Sequence, residues 1–245
     1  FIFFLEKIRR EQREQERSAL YKAIWNIAND LRGSVDGRDF KSYVLGILFY
    51  RYISENFTAY VNRTEREAGA DDFDYASFSD AEAEEARDQF VQEKGYFILP
   101  SQLFANVRAK ANEARPGGGT DYTMLNVKLS VIFKAIERSS VGTASEPDFK
   151  GLFDDLDVSS NKLGATVDER NARLLQLLNG IGEMRLGNLQ DHTIDAFGDA
   201  YEYLMGMYAS NAGKSGGEYY TPPEVSMLLT RLAIGNKKEV NKVYD

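Results

Sequence analysis

The stretch richest in chemical groups is Gly213-Lys214-Ser215-Gly216-Gly217-Glu218-Tyr219-Tyr220-Thr221-Pro222-Pro223-Glu224. Gly213-Lys214-Ser215 invites comparison with a phosphate loop, in which backbone N–H groups and a lysine cradle phosphates. That motif needs a glycine five positions before Gly213, where Tyr208 stands, and a strand before it, which the pattern lacks. The motif is therefore absent. Ser215 to Gly217 instead form a loop, Thr221 is placed to cap a helix, and Glu224 occupies the matching capping-box position. Pro222 suits the first helical turn, where its missing N–H costs nothing. Val225, Leu228, Leu229 and Leu232 follow at helical spacing and predict a buried stripe. Tyr219 and Tyr220 stand at the junction, where their rings could cover a flat base or a sulfonium cation. The positive helix end could face a carboxylate, although two prolines reduce its free N–H groups. On spacing alone the plainer expectation is a well-capped helix after a loop.

Few other residues offer chemistry. The chain has no Cys, which removes disulfides, thiolate zinc sites and cysteine nucleophiles. Its one His, His192, removes any multi-His metal site and any Cys–His pair. Beside Asp191 and Thr193, His192 reads as a loop or capping-region residue. Asp154, Asp155 and Asp157 supply three carboxylates, but the EF-hand spacing of ligands, glycine and final glutamate is missing. A solvated turn is expected there, and no metal. Arg115-Pro116-Gly117-Gly118-Gly119 lacks the strand before and helix after that a dinucleotide fingerprint needs, so it reads as a plain loop.

The elements around these residues are mostly helical. The 245 residues suffice for one large domain, or one domain and part of another. Hydrophobic residues at 43% and charged residues at 28% suit a soluble globular chain. Thirty basic against 38 acidic residues give a net charge of -8, which argues against wrapping nucleic acid with the whole surface but leaves room for a local basic face. Phe1 to Leu5 lack the preceding basic residues and the length of a signal peptide. The apolar stretch from Tyr43 to Tyr50 falls far short of the roughly 20 residues of a membrane span. The absence of Cys fits a reducing cytoplasm.

Glu6 to Arg17 interleave both charges and read as a solvated helix. Leu20, Ile24, Ile27, Ala28 and Leu31 recur at helical spacing up to Gly33. A second helix, from about Asp39 to Glu67, is apolar on all sides from Val44 to Tyr50 and belongs at the centre of a bundle. Ser79 with Glu82 and Thr166 with Glu169 form capping boxes, the first opening a helix from Asp80 to about Lys94. Tyr96 to Leu99 is extended and stops at Pro100, and Ser101 to Ala114 is helical again. Leu125, Leu129, Ile132 and Ile136 stripe one helix, and Leu174, Leu177, Leu178 and Ile181 another. Ile194, Phe197, Tyr201, Leu204, Met205 and Tyr208 predict a packed helix face, and Val240 to Tyr244 the first strand.

Several of these stretches together resemble the modification subunit of type I restriction-modification systems, a family of N6-adenine DNA methyltransferases. They are Ile24 to Gly33, Leu45 to Ser54, Leu152 to Asp157, Asp199 to Leu204, and Gly217-Glu218-Tyr219-Tyr220-Thr221-Pro222. The likeness is weakest before Ser18 and around Arg115 to Thr123. It implies a mainly α chain: a helical N-terminal domain followed by the truncated start of an α/β, Rossmann-like S-adenosylmethionine-dependent methyltransferase domain. The implied boundaries are a charged lead-in over 1–17, a helical domain over 18–190 for DNA and subunit contacts, and the start of the catalytic domain over 191–245. It implies that Glu218, Tyr219, Tyr220, Thr221, Pro222 and Pro223 line the S-adenosylmethionine pocket. The implied partners are double-stranded DNA, a DNA-specificity subunit, a restriction (translocase and nuclease) subunit and a second modification subunit, with no membrane, in the cytoplasm.

The sequence also departs from the family. The family's Asp-Pro-Xaa-Xaa-Gly-Ser/Thr-Gly turn is met only at its first residue, Asp245, and its Asn-Pro-Pro-Phe/Tyr motif is absent; Pro222-Pro223 follows Thr221, not Asn. The chain is therefore expected to be the front of a longer subunit, inactive in methyl transfer alone. The competing expectation is a helical scaffold that clamps DNA and docks subunits without touching the cofactor. A single-chain fusion of nuclease and methylase is disfavoured, because the mixed-charge N-terminus holds no evident metal-binding carboxylate cluster.

Overall fold

The computed structural model describes residues 2–30, 37–184, 196–211, 223–235 and the single positions 221, 237 and 242. The described residues contain helices and turns and no strand, so the chain is mainly α. It forms two compact units, Phe1–Tyr201 and Glu202–Asp245. The first contains α1 (Ile2–Asp30), α2 (Gly37–Glu67), α3 (Asp80–Glu85), α4 (Arg87–Lys94), α5 (Phe104–Ala114), α6 (Thr120–Thr123), α7 (Leu125–Ser139), α8 (Glu146–Phe149) and α9 (Val167–Gly182). A further helix, α10 (Ala196–Asn211), begins in it.

The centre of the first unit is α9, against which α1, α2, α5, α6 and α7 all pack. Its start is the expected capping box: the Thr166 hydroxyl accepts from the Glu169 N–H at 3.2 Å, and the Glu169 carboxylate accepts from the Thr166 N–H at 3.3 Å. Leu174, Leu175, Leu177, Leu178 and Ile181 are completely buried. Each such side chain contributes about 1.5–3 kcal/mol by leaving water. Gly180 sets how closely α1 approaches, since a Cβ there would lie 2.6 Å from Ile27 Cγ1.

The far end of α9 is held by arginines from two other helices. Arg51 of α2 donates to the carbonyls of Ile181 at 2.5 Å and Met184 at 2.8 Å. Its Nε donates to Glu55 at 2.6 Å, which answers the charge of a side chain only 12% exposed. Arg108 of α5 donates to the Asn179 side chain at 2.9 Å.

Along α2, Val44, Ile47, Leu48 and Tyr50 are buried, as the apolar run predicts. Phe57 gathers Tyr75, Phe90, Tyr96 and Phe97 around it at ring-centroid distances of 5.4, 5.7, 5.6 and 5.9 Å. Buried tyrosine hydroxyls find backbone acceptors, Tyr75 on Ile98 and Tyr96 on Ile53. Tyr43 donates to the Asp157 carbonyl at 2.7 Å, and burial pushes its hydroxyl up to about 12.

Several local expectations hold. Glu11 to Gln15 are exposed on α1, and Leu20, Ile24 and Ile27 are buried. Leu125, Leu129, Ile132 and Ile136 form the buried face of α7. Asp154, Asp155 and Asp157 are solvated around buried Leu156. Gly117 and Gly118 form an open turn with nothing near a would-be Cβ, and Gly118 has φ of +63°. No helix among the described residues is long and apolar enough to cross a membrane.

Two expectations are corrected. The single helix from Asp80 to Lys94 is two helices, broken at Ala86 with φ -95° and ψ 3°. Its ends are pinned separately: Asp80 accepts from Ser101 N–H and Oγ, and Phe90 is locked among Phe57, Tyr75 and Phe97. On α10, Tyr201 is 46% exposed, while Asp199, Ala200 and Leu204 are buried. The helix turns a side carrying a carboxylate inward because Arg17 of α1 meets Asp199 at 2.9 Å. Ile194, His192 and the expected strand positions 240, 241, 243 and 244 lie outside the described residues.

Replacing Arg51 by Met keeps much of the apolar stem but strips two carbonyls of a charged donor. We expect Arg51→Met to lower the unfolding free energy by about 2–3 kcal/mol. Urea unfolding followed by circular dichroism measures this, and an unaltered midpoint would refute the role of Arg51 as the α9 cap.

Candidate functional site

The segment that the sequence marks for cofactor contact leads into α11 (Pro223–Ile234), in the second unit. Thr221 is exposed just before that helix, and Pro223 is its first residue. Glu218, Tyr219, Tyr220 and Pro222 lie outside the described residues. The charges along α11 suit its dipole, with Glu224 in the first turn and Arg231 in the last. The helix stops at Gly235, whose φ of +57° is left-handed and whose N–H bonds the Arg231 carbonyl at 2.9 Å.

The expected buried stripe of α11 is overturned. Val225 is 44% exposed, Leu228 and Leu229 57%, and Leu232 72%. Helical spacing identifies a face able to pack, while burial needs a second surface over it. Among the described residues no surface covers that face.

A concave feature lies in the first unit and was not singled out from sequence. It is a groove of about 1030 Å³ lined by α2, the end of α4 and the start of α5. Tyr60, Arg63, Arg66 and Lys94 are among its walls. The Tyr60 ring has the Lys94 ammonium 5.2 Å and the Arg63 guanidinium 5.9 Å from its centroid. Tyr60 donates to Glu93 at 2.6 Å, which raises the Tyr60 hydroxyl above its ordinary range and lowers Glu93. Burial and the nearby Arg63 both lower Lys94. Arg66 and Lys94 sit in the last turns of α2 and α4, where cations ordinarily balance a helix dipole. That common local role hides them in the sequence, because only the fold shows that both helix ends open on one groove.

Comparison with known proteins matches two successive stretches of the chain. The family model described as HsdM N-terminal domain matches residues 20–181, and the one described as N-6 DNA Methylase matches residues 192–245. The chain is 48% identical over 239 residues to the type I restriction enzyme MpnII methylase subunit of Mycoplasma pneumoniae, covering 96% of this chain and 43% of that protein. It is 27% identical over 207 residues to the type I restriction enzyme MjaIX methylase subunit of Methanocaldococcus jannaschii, covering 84% and 34%. The crystal structure of a type I restriction-modification system methyltransferase subunit from Streptococcus thermophilus matches with a TM-score of 0.69 at 29% identity, over 90% of this chain and 44% of that one. The chain thus spans less than half the length of these relatives.

The exposure of α11 has a direct consequence for stability. Leu228→Gln should change the unfolding free energy of the 245-residue chain by less than about 0.5 kcal/mol, as surface substitutions do. Leu177→Ala in the central helix should cost about 2–5 kcal/mol. Equal losses in the two variants would show that the α11 face is covered.

Proposed function

Because this chain belongs to the HsdM N-terminal domain family, we propose that it forms the front of a type I restriction-modification methylase subunit. The complete subunit transfers a methyl group from S-adenosylmethionine to adenine N6 in duplex DNA. The observation that carries this is the order of the two matches: an HsdM N-terminal domain to residue 181, then an N-6 DNA methylase match from residue 192. We place the charged lead-in over 1–17, the helical DNA- and subunit-contacting domain over 18–190 and the start of the catalytic domain over 191–245.

In this proposal Glu218, Tyr219, Tyr220, Thr221, Pro222 and Pro223 line the cofactor pocket. Their chemistry fits the group. Two tyrosine rings offer π faces to a base or a sulfonium, and the start of α11 offers its positive end to a carboxylate. The bound cofactor supplies an activated methyl group. Tyr219 and Tyr220 orient it and shield it from water. The target adenine must leave the base stack to reach such a pocket. No Asn-Pro-Pro-Phe/Tyr sequence occurs in these 245 residues, so the chain by itself lacks the groups that the family uses to hold the adenine amine.

The proposed partners are double-stranded DNA, a DNA-specificity subunit, a restriction subunit and a second methylase subunit, in the cytoplasm. The net charge of -8 suits a division of labour in which another subunit reads the bases and local basic patches hold the backbone.

In the full-length subunit, Tyr220→Ala should weaken S-adenosylmethionine binding by about 1–3 kcal/mol, the range for a lost base–aromatic stack, measured by calorimetry. Unchanged affinity would favour the other assignment, a helical DNA clamp and docking scaffold without cofactor contact. Purified residues 1–245 should transfer no methyl group to DNA in a radiolabel assay, and robust adenine methylation by them would overturn the proposal.

A further inference from the structure

The groove on α2, α4 and α5 concentrates positive charge on an acidic protein. Its lining has four basic residues, Arg51, Arg63, Arg66 and Lys94, against two acidic ones, Glu55 and Glu67. Arg51 is consumed by the α9 carbonyls and by Glu55. Arg63 meets Glu67 only at 4.0 Å, with both side chains largely in water. Such a pair stabilises little. Lys94 pairs with no carboxylate among the described residues, and Arg66 is exposed. The nearby Glu93 carboxylate is occupied by the Tyr60 hydroxyl and by Gln89 at 3.1 Å.

Two cations therefore share one aromatic ring, within 5.2 and 5.9 Å of its centroid. They repel each other, as the lowering of Lys94 by Arg63 reflects. A bridging anion would relieve that repulsion. The space is far larger than one small anion needs, at about 1030 Å³, and it is open along α2. That shape suits a linear polyanion with repeating single charges. We propose that this groove is a phosphodiester track for duplex DNA, with Arg63, Arg66 and Lys94 contacting backbone phosphate oxygens. Such contacts set affinity and register and leave base recognition to other surfaces. The inference rests on the DNA-methylation proposal above and assigns the helical domain its own contact, apart from the cofactor pocket.

The test uses the full-length subunit and a short duplex of arbitrary sequence, with binding followed by fluorescence anisotropy across a salt series. Removing two phosphate contacts should reduce the slope of log affinity against log salt by about 1.8, or about 0.9 for each contact. Arg66→Gln combined with Lys94→Gln is expected to show that loss, with S-adenosylmethionine affinity unchanged. The charge-keeping pair Arg66→Lys with Lys94→Arg should retain the wild-type slope, which separates a lost contact from a lost fold. An unchanged slope in the Gln pair, a loss in the charge-keeping pair, or an equal loss in Lys134→Gln on α7 overturns the track. Inorganic triphosphate serves as the second ligand. Triphosphate binding that disappears in the Gln pair while the duplex slope stays constant identifies a free-phosphate site instead, and also overturns it. If the slope stays constant while the subunit methylates DNA, the track alone falls. If the slope drops but the subunit neither binds cofactor nor methylates, the methyltransferase proposal falls.

Discussion

A buried helix cannot end inside a protein without something to donate to its last carbonyls, and the helical unit is organised around that need. The buried leucines of α9 make it the natural centre for α1, α2, α5, α6 and α7. Its C-terminal carbonyls then fall where water has little access. A guanidinium answers them best, being planar, permanently charged and able to donate in several directions. Arg51 fills that role from α2 and Arg108 supports it from α5, through a side-chain amide. The price is a largely buried cation, met by Glu55 one turn further along α2.

This arrangement also fixes the basic groove. Once Arg51 ties α2 to α9, the rest of α2 has a set direction, and Phe57 collects Tyr75, Phe90, Tyr96 and Phe97 against it. The end of α4 then lies beside the last turns of α2, and the cations at both helix ends line one groove. The dipole rule is local, yet here two instances of it converge into a feature neither helix has alone. The second unit has a different character. Its α11 is well terminated at Gly235 but presents Val225, Leu228, Leu229 and Leu232 outward. One unit is closed by its own core, while the described part of the other offers an open apolar face.

Much of the fold was legible in the chain. The Thr166 and Glu169 pair, the leucines of α9 and the striping of α7 are short-range patterns, governed by helical period and capping chemistry. The link to a methylase subunit was legible too, because it rests on contiguous stretches such as Gly217 to Pro222. The break at Ala86 was not, since it comes from Asp80 and Phe90 being held by partners outside their own helix. Nor was the inward turn of Asp199, whose partner Arg17 lies 182 residues away.

Composition and local spacing were enough to settle a helical chain without disulfides, thiolate zinc or multi-histidine sites, and to mark where its main helices begin. They set these features because period, capping and residue inventory act over a few positions. Which faces are covered, which arginine caps α9 and which cations share the Tyr60 ring were decided by the tertiary structure. Those outcomes depend on groups far apart in the chain, such as Arg51 and Ile181 at a separation of 130 residues, and only packing brings them within bonding distance.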